Sequence, residues 1–158
     1  MGYYKTASVC LNGHINSNDV SSYNNNANYC SKCGSQLIIT CPNCDASIHG
    51  KYEVEGVISF STGPENPDAY CYNCGKPYPW TESAIKATQE LLALDSSEDS
   101  KYLQDNINAL LIDTPKTKVV STRMKIFLSK TSSELASGVR DVLVDIISET
   151  ARKAIFGN

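Results

Sequence analysis

Cysteine constrains this chain more than any other residue: seven thiols occur in 158 residues, and six form the pairs Cys30-x-x-Cys33, Cys41-x-x-Cys44 and Cys71-x-x-Cys74. An odd number cannot pair completely into disulfides, and a reducing cytosol would not preserve them, which leaves metal binding as the natural outlet. Cys10-x-x-x-His14 supplies a fourth pair. The candidate ligands are therefore Cys10, His14, Cys30, Cys33, Cys41, Cys44, Cys71 and Cys74, enough for two tetrahedral Zn²⁺ ions with nothing left over. Two intervening residues let a tight turn aim both sulfurs at one ion. A site with four protein ligands has no open position for water, so both ions are expected to be structural.

The residues beside the pairs suit the same turns. Gly34 and Gly75 follow Cys33 and Cys74, and Gly13 precedes His14, where a backbone at positive φ can turn N–H groups toward thiolates. Asp45 takes the equivalent place after Cys44, and Asp is among the few other residues that tolerate this conformation.

Sequential pairing assigns Cys10, His14, Cys30 and Cys33 to one ion and Cys41, Cys44, Cys71 and Cys74 to the other; a cross-braced arrangement would join the first pair to the third. We favour the sequential order, because Lys51 to Phe60 reads as a strand inside the third-to-fourth gap, where a zinc ribbon carries one. The cross-braced order stays open. So do blander readings: Cys10 as a lone buried thiol with His14 an ordinary loop residue, or His49 as a substitute ligand, although His49 reads as part of the turn Ile48-His49-Gly50. A redox-active pair is disfavoured, since no βαβ pattern follows any Cys-x-x-Cys.

The chain changes character at its middle. All the cysteines, both histidines, the single Trp80 and five of six prolines lie in residues 1–80, which read as a double zinc-ribbon module. There Ser17 to Asn28 is a polar, Asn-rich loop without period, expected to be mobile, and Gln36 to Thr40 is a short β-prone run. Tyr52, Val54, Ile58 and Phe60 alternate with polar residues as in a half-buried strand. Tyr78 and Trp80 are read as a plug packed between ribbon and first helix, in preference to an exposed platform for a peptide or base.

Residues 81–158 carry no cysteine and read as an α-helical tail of about four helices. Thr81 is placed as a cap before Ile85, Leu91, Leu92 and Leu94, a second helix spans Leu103 to Leu111, and Thr114-Pro115 starts a third. Thr131-x-x-Glu134 is a capping box opening the longest helix, about 37 Å if unbroken to Phe156 at 1.5 Å per residue. The expected fold is thus a small zinc-stapled β module, a tandem zinc ribbon or knuckle, followed by a helical C-terminal region.

The formal net charge of −3, made more negative by bound thiolates, excludes general electrostatic attraction to nucleic acid as the driver of binding. Charge is uneven along the tail. Residues 81–113 hold seven acids and two lysines, whereas 115–130 hold Lys116, Lys118, Arg123, Lys125 and Lys130 and no acid. Mutual neutralisation is the plain account. The sharper one is a basic face that, with Lys32, Lys51 and Lys76, serves nucleic acid. Leu135, Val139, Val142, Leu143, Ile146, Ile147 and Ile155 read as a face wider than a small bundle readily buries; it is expected to serve first as the bundle core, then for self-association or a protein partner through the helices, and only third for binding at a membrane surface.

No phosphate loop, nucleophile elbow or His-Glu-x-x-His occurs, so a non-enzymatic protein is expected. No run approaches the ~18 apolar residues of a membrane span and no secretory signal is legible, which points to the cytosol. Met1-Gly2-x-x-x-Thr6 fits the N-myristoylation pattern and is read as chance.

Cys-Leu-Asn-Gly-His (10–14), Tyr-Cys-Ser-Lys-Cys-Gly (29–34), Cys-Pro-Asn-Cys (41–44), Tyr-Cys-Tyr-Asn-Cys-Gly-Lys-Pro-Tyr-Pro-Trp-Thr (70–81) and the later Asp-Thr-Pro-Lys-Thr (113–117) together resemble a bacterial family of unknown function that bears tandem zinc ribbons. The resemblance runs over nearly the whole chain and implies that fold and a prokaryotic or phage source, but no activity.

Overall fold

A computed structural model describes residues 1–22 and 27–157, so positions 23–26 of the Asn-rich segment lie outside the described residues. The chain divides into two compact units, Met1–Glu82 and Ser83–Asn158. The architecture is a small β module followed by helices.

The first unit holds two small antiparallel sheets. β1 (Gly2–Thr6) pairs with β5 (His49–Val54), and β2 (Ser8–Cys10) lies between β3 (Ile15–Ser17) and β4 (Leu37–Ile38). The strand expected over Lys51 to Phe60 is shorter and starts earlier. Its register with β1 closes at Gly2↔Val54, and Gly56 at φ 81° then turns the chain away. Ile58 and Phe60 are left 84% and 95% exposed, so their alternation has no sheet behind it. The β-prone run Gln36–Thr40 survives only as β4, whose partner β2 is three residues long.

Strands this short bury little. The core of the unit comprises Ala7, Val9, Ile48, Tyr78 and Trp80 with Cys41 and Cys71, two of the candidate ligands. Tyr78 and Trp80 stack at 4.7 Å, and the Trp80 indole donates to the Asp68 carbonyl at 2.9 Å. The two rings thus belong to the interior of the β module, as buried residues do when their polar tips find partners.

The helices are α1 (Pro79–Leu92), α2 (Glu98–Asp105), α3 (Asn108–Leu111), α4 (Thr117–Lys130), α5 (Ser133–Leu143) and α6 (Glu149–Phe156). Several boundaries depart from the sequence reading. Thr81 is no cap: α1 starts two residues earlier, and the Thr81 hydroxyl donates to the Ala69 carbonyl at 2.8 Å. The second helix breaks between α2 and α3. The third begins at Thr117 and not Pro115, because Thr114 and Thr117 form a turn of their own (Thr117 N–H to Thr114 O, 3.1 Å) and the Thr117 hydroxyl bonds the Ala109 carbonyl at 2.7 Å.

The long last helix is two helices. Ser132 caps α5 through Leu135 N–H, one residue past the expected Thr131, and Ser148 caps α6 through Ala151 N–H. The Ser148 N–H is itself drawn to the Leu110 carbonyl at 2.8 Å, a tertiary bond that replaces helical continuation.

Within the second unit α4 packs against α2, α3, α5 and α6, placing Val120, Met124 and Phe127 in the core with Leu103, Leu110, Val139, Leu143, Ile147 and Ile155. All seven apolar residues that suggested a surplus face from Leu135 to Ile155 are buried or half-buried. Breaking the helix folds that face onto the bundle. Among the described residues no helix is long and apolar enough to cross a membrane.

Candidate metal centres

Three copies of one local structure carry the Cys-x-x-Cys pairs. In each, the N–H of the first cysteine donates to a carbonyl five residues on (Cys30 to Ser35, Cys41 to Ala46, Cys71 to Lys76, at 2.8–2.9 Å), and its own carbonyl accepts the N–H four residues on (Gly34, Asp45, Gly75). Isolated antiparallel bridges, Tyr29↔Gln36, Thr40↔Ser47 and Tyr70↔Pro77, clamp the ends. The fifth residue takes positive φ in every copy: Gly34 74°, Asp45 63°, Gly75 74°. This turn aims both sulfurs the same way, as the spacing and the glycines imply.

The fourth pair uses a different turn. Cys10 ends β2, and Cys10 N–H donates to the His14 carbonyl at 3.0 Å while Gly13 N–H returns to the Cys10 carbonyl at 2.9 Å. Gly13 takes φ 89°, which L side chains rarely adopt, and a Cβ there would lie 3.1 Å from Trp80 Cβ, a tight contact that could form only if a neighbour shifted.

These turns bring the eight candidate ligands together in two groups, Cys10/His14/Cys30/Cys33 and Cys41/Cys44/Cys71/Cys74, with all ligand atoms of a group within 4.8 Å of one another. The grouping is sequential, not cross-braced. All seven cysteines are free thiols. His49 joins neither group: its ring lies between Tyr4 and Tyr72, stacked at 3.9 and 4.0 Å.

The separations suit a tetrahedral ion. Bonds of about 2.3 Å to sulfur and 2.0–2.1 Å to nitrogen at tetrahedral angles put sulfurs about 3.8 Å apart and sulfur about 3.5 Å from nitrogen. In the first group Cys10 Sγ lies 3.7 Å from Cys33 Sγ, and His14 Nδ1 lies 3.5 and 3.6 Å from the Cys10 and Cys30 sulfurs. In the second, Cys41–Cys74 and Cys44–Cys71 are separated by 3.8 and 3.6 Å. Each group can therefore hold one metal ion.

Polar hydrogens converge on the sulfurs. Backbone N–H groups of His14, Lys32 and Asn73 approach Cys10, Cys30 and Cys71 at 3.3–3.4 Å. Asn12 Nδ2 reaches Cys33 at 3.4 Å and Asn73 Nδ2 reaches Cys44 at 3.5 Å. Donors of this kind stabilise thiolates. The Ser35 backbone and then the Asn12 amide lower the Cys33 thiol to about 5, and the Cys74 backbone lowers Cys71 to about 6. Burial acts oppositely on the inner ligands, raising Cys10 and pushing Cys41 up to about 11. Asn12 and Asn73 were not singled out from the sequence. Their signal was present in position, each lying between the two ligands of a pair.

The chain belongs to a bacterial family described as "Uncharacterized protein conserved in bacteria (DUF2321)", which matches residues 3–155. No curated protein and no solved structure matches it.

Proposed function

For this member of a bacterial family, we propose a non-enzymatic binding protein in which two structural Zn²⁺ ions hold the β module and the helical unit supplies the recognition surface. The observation that carries the metal reading is the match between the ligand-atom separations, 3.5–3.8 Å, and the edges of a tetrahedral Zn coordination shell. Three thiolates with an imidazole and four thiolates are donor sets that suit zinc. When bound, the ion supplies folding free energy, since four protein ligands leave it no position for water or substrate. A thiol set of this kind belongs in a reducing compartment, which supports a cytoplasmic protein.

Binding through the helical unit is supported by what that unit leaves outside. Leu94, Val119 and Ile126 are 77%, 50% and 46% exposed. Among the described residues no ion pair joins an acid of residues 81–113 to a cation of residues 115–130. Lys116 and Arg123 meet Asn106 and the Tyr102 ring, but among the described residues the opposite charges of the two segments are not paired with each other.

Cobalt(II) replacement tests the centres directly. Two tetrahedral ions per chain should appear, with thiolate-to-metal absorption falling by about one quarter of a four-sulfur centre's share when Cys74→Ser removes one ligand. Octahedral spectra, or no change in that variant, would overturn the ligand assignment. The unpaired lysines of α4 also favour a second reading, nucleic-acid binding; it requires affinity to fall steeply with salt. An apolar helix contact would persist.

A further inference from the structure

The outer face of α4 and the cleft at its C-terminal end are both apolar and carry opposite charge. With Thr117, Val120, Ser121, Met124 and Phe127 turned inward, α4 presents Val119 and Ile126 outward, seven residues and hence about two turns apart. Lys118 and Lys125 flank this apolar stripe on one side, Arg123 and Lys130 on the other. Arg123 is engaged over the Tyr102 ring at 4.0 Å, whereas Lys118, Lys125 and Lys130 have no partner among the described residues.

The stripe ends at Lys130, and Thr131 already lines the neighbouring cleft. That cleft, of about 560 Å³, has walls of Leu91, Leu94 and Leu135 and carries the carboxylates of Asp95 and Glu134. Asp95 accepts the Ser97 N–H at 2.8 Å, and neither carboxylate meets a cation within 4.0 Å among the described residues. One surface is convex, apolar and cationic; the other is concave, leucine-lined and anionic.

We propose that these two surfaces are the halves of one self-complementary patch, and that the occupant of the cleft is a second copy of this chain. In the resulting two-fold dimer the Val119–Ile126 stripe of each copy seats in the Leu91/Leu94/Leu135 cleft of the other. Lys125 and Lys130 then face the other copy's Asp95 and Glu134. Such a contact is isologous, so every favourable pair is made twice. Each apolar face leaves water where the monomer keeps it wet. The inference rests on the reading of the helical unit as the binding part of the protein.

Sedimentation of full-length, zinc-loaded protein tests it with two double variants, Lys125→Glu/Lys130→Glu and Asp95→Lys/Glu134→Lys. Wild type should dimerise at micromolar concentration. Each variant alone places like charges together and should dimerise roughly tenfold or more weakly. An equimolar mixture has opposite charges at both contacts and should recover the dimer. A wild-type monomer at about 100 μM, a dimer indifferent to both variants, or a mixture that does not recover would each overturn the proposal. A monomer that still captures another protein through its helices would overturn the dimer while leaving the broader reading standing.

Discussion

Single positions differ in how narrowly their surroundings restrict the side chain they can carry. Gly13 combines φ 89° with a tight Cβ contact at Trp80, whereas Gly56, at φ 81°, has open space around it. Gly13→Ala is therefore expected to cost about 2–3 kcal/mol of β-module stability and Gly56→Ala about 1 kcal/mol, measured by thermal unfolding of the zinc-loaded protein. Equal effects would mean that the close packing on Trp80 adds nothing to backbone strain. Asn12→Ala and Asn73→Ala remove one N–H donor each from Cys33 and Cys44. Each should keep its metal but bind it about tenfold less tightly in competition with a chromophoric chelator. Protons compete with metal for thiolates, so affinity must fall as pH falls. Cys10 and Cys41, whose burial favours the neutral thiol, must lose protons when metal binds; Cys33 and Cys71, held low at about 5 and 6, contribute little to that release at pH 7.

At the scale of elements, the knuckles were legible in the sequence because their geometry is local. Spacing, a following Gly or Asp and a nearby bridge all fall within about eight residues. The strands were less so. β1 carries Tyr3 and Tyr4, each about half exposed, and shows no alternation that a period of two would reveal. The break between α5 and α6 was hidden for another reason: Val144 to Ile147 contain neither Gly nor Pro, and what ends the helix is a bond from Ser148 N–H to distant Leu110. The two Ser caps make the revised boundaries testable. Ser132→Ala and Ser148→Ala should each cost about 1 kcal/mol, and Thr131→Ala far less, in thermal or denaturant unfolding. The reverse order for Thr131 and Ser132 would restore the capping box read from the sequence.

At the scale of the molecule, the two units solve the problem of a small core differently. The helical unit buries Leu, Ile, Val, Met and Phe side chains from α4 and the four helices packed against it. The β module has strands of two to six residues and places the candidate ligands Cys41 and Cys71 in its core, so on the proposed reading bound metal replaces the apolar burial it lacks. The division of labour was readable from where the cysteines stop. The apolar residues from Leu135 to Ile155 do form bundle core, as first expected, but from two helices and their connection and not from one helix, which is how so wide a face is covered. Trp80, the single tryptophan, lies in the β-module core and reports on it alone. Chelation should therefore shift its emission to that of a solvated indole while the helical far-ultraviolet signal largely persists. Zinc analysis of protein purified without chelators decides whether metal holds the β module together. The account predicts two ions per folded chain; a folded β module with its native Trp80 emission and well under two ions would contradict it.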